Sequence, residues 1–314
     1  MKTSCYRMIM VISSCVLLLL GFTPRGFAEQ KGPLVLVSTF PIYQITRNVA
    51  QGRPITLNLM LPAELGCPHN YALTPQDMMK LSKARALVVN GLGMEEFLGP
   101  ALKKANPSLK IIDSSQGITN LMAYTDHGHD QGEAHRQSRT NPHLFVSPGM
   151  ASLLAMNVAF GLSKIDPEGA SVYQANSKAY AERMNALDKR CRDIGKKLAH
   201  KLIITEHGVF DYLARDMGLT VAEVIESHSG SEPSASEMLH LINIIKTKKI
   251  RAIFMEPRNP HHIALALAKE TGIRVASLDP GATGPLNADL TYYETLMEKN
   301  LKTLKENLGV LSDD

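Results

Sequence analysis

Residues 166–200 read DPEGASVYQANSKAYAERMNALDKRCRDIGKKLAH. Pro167 and Glu168 stand at the start, no proline follows, and apolar or small residues recur at helical spacing. A proline in the first turn with an acid beside it opens a helix well, because the proline has no N–H to leave unsatisfied there. The stretch predicts one rigid connector about 30 residues long, roughly 45 Å at 1.5 Å per residue. Two bodies joined by a single stiff helix are expected to make only small closing motions.

On the N-terminal side of the connector, apolar β-rich runs alternate with amphipathic segments. Leu34 to Ser38 precedes a helix from about Ile42, Thr56 to Leu61 precedes Thr74 to Lys83, Ala86 to Asn90 precedes Glu95 to Lys104, and Lys110 to Asp113 ends the series. On the C-terminal side the order returns: Leu202 to Thr205 and a helix from Val209, Thr220 to Val224 and a helix from Ser234, Arg251 to Met255 and a helix from about Pro260, then Arg274 to Leu278. Such alternation indicates parallel strands with covering helices. Ala86-Leu-Val-Val-Asn90 and Ala252-Ile-Phe-Met-Glu256 occupy equivalent places, so the expectation is an α/β protein of two pseudo-duplicated lobes. The segments divide as a signal peptide over 1–28, an N-terminal lobe over 29–164, the connecting helix over 165–200 and a C-terminal lobe over 201–314.

The signal reading rests on Lys2 and Arg7, the apolar stretch from Met8 to Leu20, and the Gly26-Phe27-Ala28 ending. The apolar run is broken by Ser13 and Ser14 and falls short of the ~20 residues that a spanning helix needs. Removing the signal takes away Lys2, Arg7 and Arg25, so 34 basic residues fall to 31 against 30 acidic ones, a net charge of +1 rather than +4. With no basic run in the mature part, nucleic acid is excluded as a partner class. Cys5 and Cys15 leave with the signal, and Cys67 and Cys191 are too few and too distant for a disulfide framework; whether they pair is open.

Four segments, each in a loop beside a strand-like run, carry one good metal donor: His69 beside Pro68, His143 beside Pro142, His207 after Leu202-Ile-Ile-Thr205, and Asp279 after Val275-Ala-Ser-Leu278. Crevices outside the carboxyl ends of parallel strands are where such sheets bind ligands. Neutral imidazoles with one carboxylate suit a borderline divalent cation, zinc above all, in a four-coordinate cage. Glu206 precedes His207, but consecutive side chains at a strand end point opposite ways, which selects His207. Cys67 is either a thiolate ligand or a small, partly buried residue. Ligating imidazoles donate their second nitrogen to a carboxylate or carbonyl, and Glu206, Glu226 and Glu256 are the candidates for that role. From Asp126 to Arg139 the chain turns polar, with His127, His129 and His135 among acids and glycines, a composition that reads as a mobile loop.

Taken together, Pro68-His69-Asn-Tyr71 with Pro75-Gln-Asp77, Ala86-Leu-Val-Val-Asn-Gly-Leu-Gly-Met-Glu95, Asn141-Pro-His143 with Ser147-Pro148, His207-Gly-Val-Phe-Asp-Tyr212, Ser231-Glu-Pro-Ser-Ala-Ser236, Ile253-Phe-Met-Glu-Pro257 and Leu278-Asp279-Pro280 resemble the solute-binding proteins of metal-specific ABC importers, the cluster A-I or cluster 9 family. Ser147 departs from the pattern, since an Asp is common there. The resemblance covers nearly the whole mature chain. It implies two lobes, each with a four-stranded and mainly parallel sheet, a spanning helix, and a metal in the cleft between them. It also implies a function: capture of the cation outside the cytoplasmic membrane, in the periplasm, and delivery to a membrane permease by a monomer that is not an enzyme.

His207 stands where the zinc branch carries His and the manganese branch Glu, so the resemblance favours Zn2+ over Mn2+ as the cargo. The polar loop with His127, His129 and His135 resembles the auxiliary metal collectors of the zinc branch, with a solvated insertion as its alternative. His228 lies in a segment like the family's cleft-facing ones. The remaining readings are a manganese or iron member of the same family, a secreted zinc hydrolase, which lacks the His-Glu-x-x-His pattern and has only Glu206 as a base, and a surface adhesin.

Overall fold

The computed structural model describes residues 32–66, 68, 71–123, 140–225, 233–258 and 261–311, of which Pro33 onward forms one compact unit. The N-terminal lobe runs β1 (Leu34–Val37), α1 (Phe40–Ala50), β2 (Thr56–Leu59), α2 (Pro75–Lys83), β3 (Ala86–Val89), α3 (Ala101–Ala105) and β4 (Lys110–Asp113). Helices α4 (Pro148–Ile165) and α5 (Ala170–Lys197) follow, and then β5 (Leu202–Thr205), α6 (Asp211–Met217), β6 (Thr220–Val224), α7 (Ala235–Thr247), β7 (Ala252–Met255), α8 (His262–Thr271), β8 (Arg274–Ser277) and α9 (Tyr292–Leu308). The sheets are β2-β1-β3-β4 and β6-β5-β7-β8, and every pairing is parallel. The expected α/β architecture of two four-stranded sheets joined by a long helix is the one observed.

Local chemistry sets the boundaries. Thr74 and Asp77 close a reciprocal capping box at the start of α2, and Ser234 and Glu237 do the same for α7, each pair satisfying two helix-end N–H groups. Central strands β3 and β7 are buried at all four positions, as strands covered by helices on both faces must be. The helix expected over Glu95 to Lys104 is instead a single 3₁₀ turn, Glu96–Leu98, followed by the short α3. Gly99 at φ 36° and Pro100 intervene: the glycine takes up a left-handed backbone and the proline cannot donate to a continuing helix. Gly91, at φ 87°, turns the chain after β3 where an added Cβ would lie 2.1 Å from the Asp113 carboxylate.

Helix α5 spans 28 residues, as the connector reading required, but a 3₁₀ turn at Pro167–Gly169 separates it from α4. One apolar cluster runs through both lobes, from Val35 and Val88 through Leu154, Tyr180 and Met184 to Phe210, Phe254 and Leu304. The outer helical layer of each lobe has its own smaller cluster, around Leu81 and Leu87 in one and around Ile253 and Leu267 in the other. The inner faces of the two sheets thus share a single core, and a hinge motion would have to shear close-packed side chains. No helix among the described residues is long and apolar enough to cross a membrane.

Candidate metal centre

The C-terminal lobe builds its half of the site at the end of β5. Glu206 continues the strand, its N–H donating to the Phe254 carbonyl, and its side chain is fully buried. The Glu206 carboxylate accepts the backbone N–H of Glu256 at 3.0 Å. Glu256, just past β7, in turn faces His207 with Oε1 2.7 Å from Nδ1. Two carboxylates from neighbouring strands therefore act in series, one fixing the backbone of the residue whose side chain fixes the imidazole. Thr205 adds a hydroxyl donated to the His207 carbonyl at 3.1 Å.

The N-terminal half comes from the Asn141-Pro142-His143 turn. Asn141 Oδ1 accepts the backbone N–H of His143 at 3.0 Å and lies 2.8 Å from its Nδ1. The Asn141 amide nitrogen crosses to the other lobe, donating to the Gly208 carbonyl at 2.7 Å and to the Asp211 carboxylate at 3.0 Å. Tyr212 closes the arrangement by donating its hydroxyl to the Asn141 carbonyl at 2.8 Å. The Asn90 side chain donates to the Pro142 carbonyl at 2.9 Å, tying the turn to the end of β3.

The two imidazoles meet with ring centroids 5.7 Å apart and planes inclined by 71°, and both are buried. An oxygen faces each Nδ1, which favours the tautomer with the proton on Nδ1 and the lone pair on Nε2. That is the tautomer a metal-ligating imidazole adopts when its second nitrogen is anchored by an oxygen.

Asp279 follows β8 and is fixed through its backbone. Its N–H donates to Asn300 Oδ1 at 3.0 Å, its carbonyl accepts from Asn300 Nδ2 at 2.7 Å, and its own carboxylate accepts the Gly281 N–H at 2.8 Å. Burial, reinforced by the nearby Glu256 charge, holds its carboxyl above the usual range. Asp279, His207 and Glu256 line one cavity of about 210 Å³, with Glu64, Leu65 and Gly66 of the N-terminal lobe on its other wall. Gly284 donates its N–H to the Ala63 carbonyl at 3.2 Å, closing the same seam. Burial beside a second carboxylate is a poor environment for an anion by itself and a good one for an anion that shares a cation.

The structure thus brings His143 against His207 and puts His207 and Asp279 on the lining of one cavity. His69 and Cys67 lie outside the described residues, as do His127, His129 and His135, together with Glu226 and His228. Among the described residues no group of three His, Cys, Asp or Glu side chains is close enough to hold a metal ion, so the expected four-donor cage is not assembled by them. Ala123 and Thr140, which flank the histidine-bearing segment, pair in an antiparallel bridge. Cys191 is a free, buried thiol, pushed up to about 12 by burial and by Asp188.

Two residues with structural consequence at the site were not given roles by the sequence reading. Asn141 and Asn300 are ordinary polar residues in one dimension, and only their partners distinguish them; the Asn-Pro-His spacing was the available signal for the first. Ser147, the departure from the family pattern, accepts the Met150 N–H to cap α4 at 3.2 Å and donates to Asp216 at 2.5 Å. A hydroxyl can do both, whereas an aspartate there would face Asp216 as a like charge.

Residues 35–307 match the family described as zinc-uptake complex component A, periplasmic, ZnuA. The chain is 30% identical over 313 residues to the high-affinity zinc uptake system protein ZnuA of Bacillus subtilis, covering 96% of this chain and 97% of that one. It is 29% identical over 304 residues to the zinc-binding lipoprotein AdcA of Streptococcus pneumoniae, with 95% of this chain covered but only 60% of AdcA. Among solved structures, the solute-binding protein FpvC of Pseudomonas aeruginosa in complex with Mn2+ superposes with a TM-score of 0.76 at 26% identity, covering 88% of this chain and 98% of that one. These relatives are named as metal-binding and zinc-uptake components rather than as enzymes, and the zinc hydrolase reading finds no support among them. The chain belongs to the zinc-uptake complex component A family of metal-binding solute-binding proteins.

Proposed function

We propose that this chain is the zinc-capturing component of an ABC importer: exported through a cleaved signal peptide, it binds Zn2+ outside the cytoplasmic membrane and hands it to a membrane permease. The observation that carries the reading is the buried His143–His207 pair, each ring with Nδ1 anchored on oxygen. Two such imidazoles supply borderline nitrogen donors, and Asp279, which lines a cavity with His207, supplies charge. In this proposal His69, three residues beyond the cavity-lining Gly66, is the third imidazole, and Glu206 and Glu256 are the outer carboxylates that hold His207. His127, His129 and His135 gather metal for the centre; unchanged zinc loading at limiting metal after deletion of residues 126–135 would refute that part. The nitrogen-rich donor set favours zinc over manganese, whose harder chemistry prefers oxygen.

The test is to strip the mature chain of metal, titrate zinc and manganese in competition, and count metal per chain. One tightly held zinc per chain, lost in His207→Ala, is the expected result. Manganese displacing zinc at equal concentration, or full zinc loading of His207→Ala, would overturn the reading. Delivery is tested by whether the loaded chain, and not His207→Ala, supports zinc entry into vesicles carrying the permease.

A further inference from the structure

We infer that the C-terminal lobe carries a second binding site, a groove for a discrete anion bearing two or more phosphate groups, at the end of its sheet opposite the metal cleft. The groove encloses about 750 Å³ and is lined by Lys246, Lys248, Lys249, Arg251, Arg274 and His200, with Glu306 as its lone acid. The cations come from the end of α7, the turn after it, the residue before β7 and the first residue of β8.

None of these five cations forms a salt bridge to a carboxylate among the described residues. Arg251 Nε donates to His200 Nε2 at 3.1 Å, and Arg274 donates one N–H to the Glu306 carbonyl at 3.2 Å. Each guanidinium is thereby oriented while using, among the described residues, one of its five donors. The contrast is with α5, where Arg183 pairs with Glu294 and Arg192 with Asp188. Five like charges gathered in a groove with Glu306 as the one acid among its described lining residues repel one another, and a bound polyanion relieves that repulsion. Lys249 also holds φ at 51°, a left-handed conformation that a glycine or asparagine would adopt more readily.

The shape selects a discrete ligand over a membrane surface. The site is concave, and buried Ile250 and Ile273 sit at its floor, where a flat array of headgroups would not reach. Arginine forks match phosphate oxygens in pairs, and two arginines with three lysines, from the 246–251 stretch and from Arg274, offer more donors than one phosphate can take up. Arg251 precedes β7 and Glu256 follows it; Arg274 opens β8 and Asp279 follows it. Strands of four residues, about 13 Å long, therefore lie between groove and cleft, and the anion does not touch the transported cation.

The experiment uses the metal-free mature chain and calorimetric titration with tripolyphosphate at physiological salt, with inorganic phosphate and phosphatidylglycerol vesicles as separate arms. One tripolyphosphate per chain is expected, weakened at least 10-fold in R251Q/R274Q and unchanged in His207→Ala and in Lys178→Gln on α5. Zinc titration of R251Q/R274Q, expected to match the unaltered chain, confirms folding; if that variant does not fold, Lys248→Gln with Lys249→Gly replaces it. Absence of binding, equal weakening by Lys178→Gln, inorganic phosphate binding as tightly as tripolyphosphate, or binding to vesicles alone would each overturn the proposal.

Discussion

His143 and His207 face each other across the boundary between the lobes, but they are held by different chemistry. A neutral amide, Asn141, anchors the first; a carboxylate, Glu256, backed by a second, Glu206, anchors the second. An anion beside Nδ1 raises the electron density of the ring and strengthens its bond to a cation, whereas an amide mainly fixes its direction. The amide does something the carboxylates do not, since Asn141 also spans to Gly208 and Asp211 and so carries the lobe contact itself. In the proposed site, the C-terminal half would serve affinity and the N-terminal half position.

That contrast can be broken directly. His207→Ala and His143→Ala should both weaken zinc binding more than 100-fold, beyond the range typical of outer residues, by competition against a chelator; a weak effect of either would remove it from the site. One step out, Glu256→Gln should cost about 10- to 100-fold in zinc affinity with little change in melting temperature. Asn141→Ala should reverse the balance, with a smaller loss of affinity but a fall in stability of about 1–3 kcal/mol, because the partners it leaves behind are buried. Equal effects of the two substitutions on both measurements would erase the distinction.

Protons sharpen it further. Zinc ligands must be neutral imidazoles, so affinity should fall as pH drops through the ordinary imidazole range near ~6.5, read by zinc titration from pH 8 to 5. The smallest expected effect concerns Asp279. Its carboxyl is raised by burial and by Glu256, and a carboxyl raised on folding opposes folding above its unfolded value. Asp279→Asn should therefore leave the metal-free melting temperature at neutral pH unchanged or slightly higher, and the advantage should disappear as pH falls and the aspartate is protonated. Zinc affinity of that variant should drop. A lower metal-free melting temperature at neutral pH would contradict the sign.

Legibility followed physical range. Strands such as Ala86–Val89 and Ala252–Met255 were readable because burial on both faces demands continuous apolar runs, and the helix expected from Ser234 begins where Ser234 and Glu237 form a capping box. Helix α5 was readable from its uninterrupted spacing. The helix over Glu95 to Lys104 was misread because periodicity outweighed Gly99-Pro100, whose backbone requirements decide locally. Helices α4 and α9 were not read as elements: α4 is apolar on nearly every face, so it lacks the two-sided pattern that announces a helix.

What the sequence by itself determined is whatever depends on near neighbours: the alternating strands and helices, the stiff connector, the donor-bearing turns beside prolines and strand ends, and through their order the family. What only the tertiary structure decided is which of those donors meet and what stands behind them. Asn141 reaching Gly208, Glu206 holding the backbone of Glu256, and Arg274 meeting the cations of 246–251 in one groove all join residues distant along the chain. Such contacts arise when parallel strands bring their ends side by side, and no local propensity encodes which side chains that juxtaposition will pair.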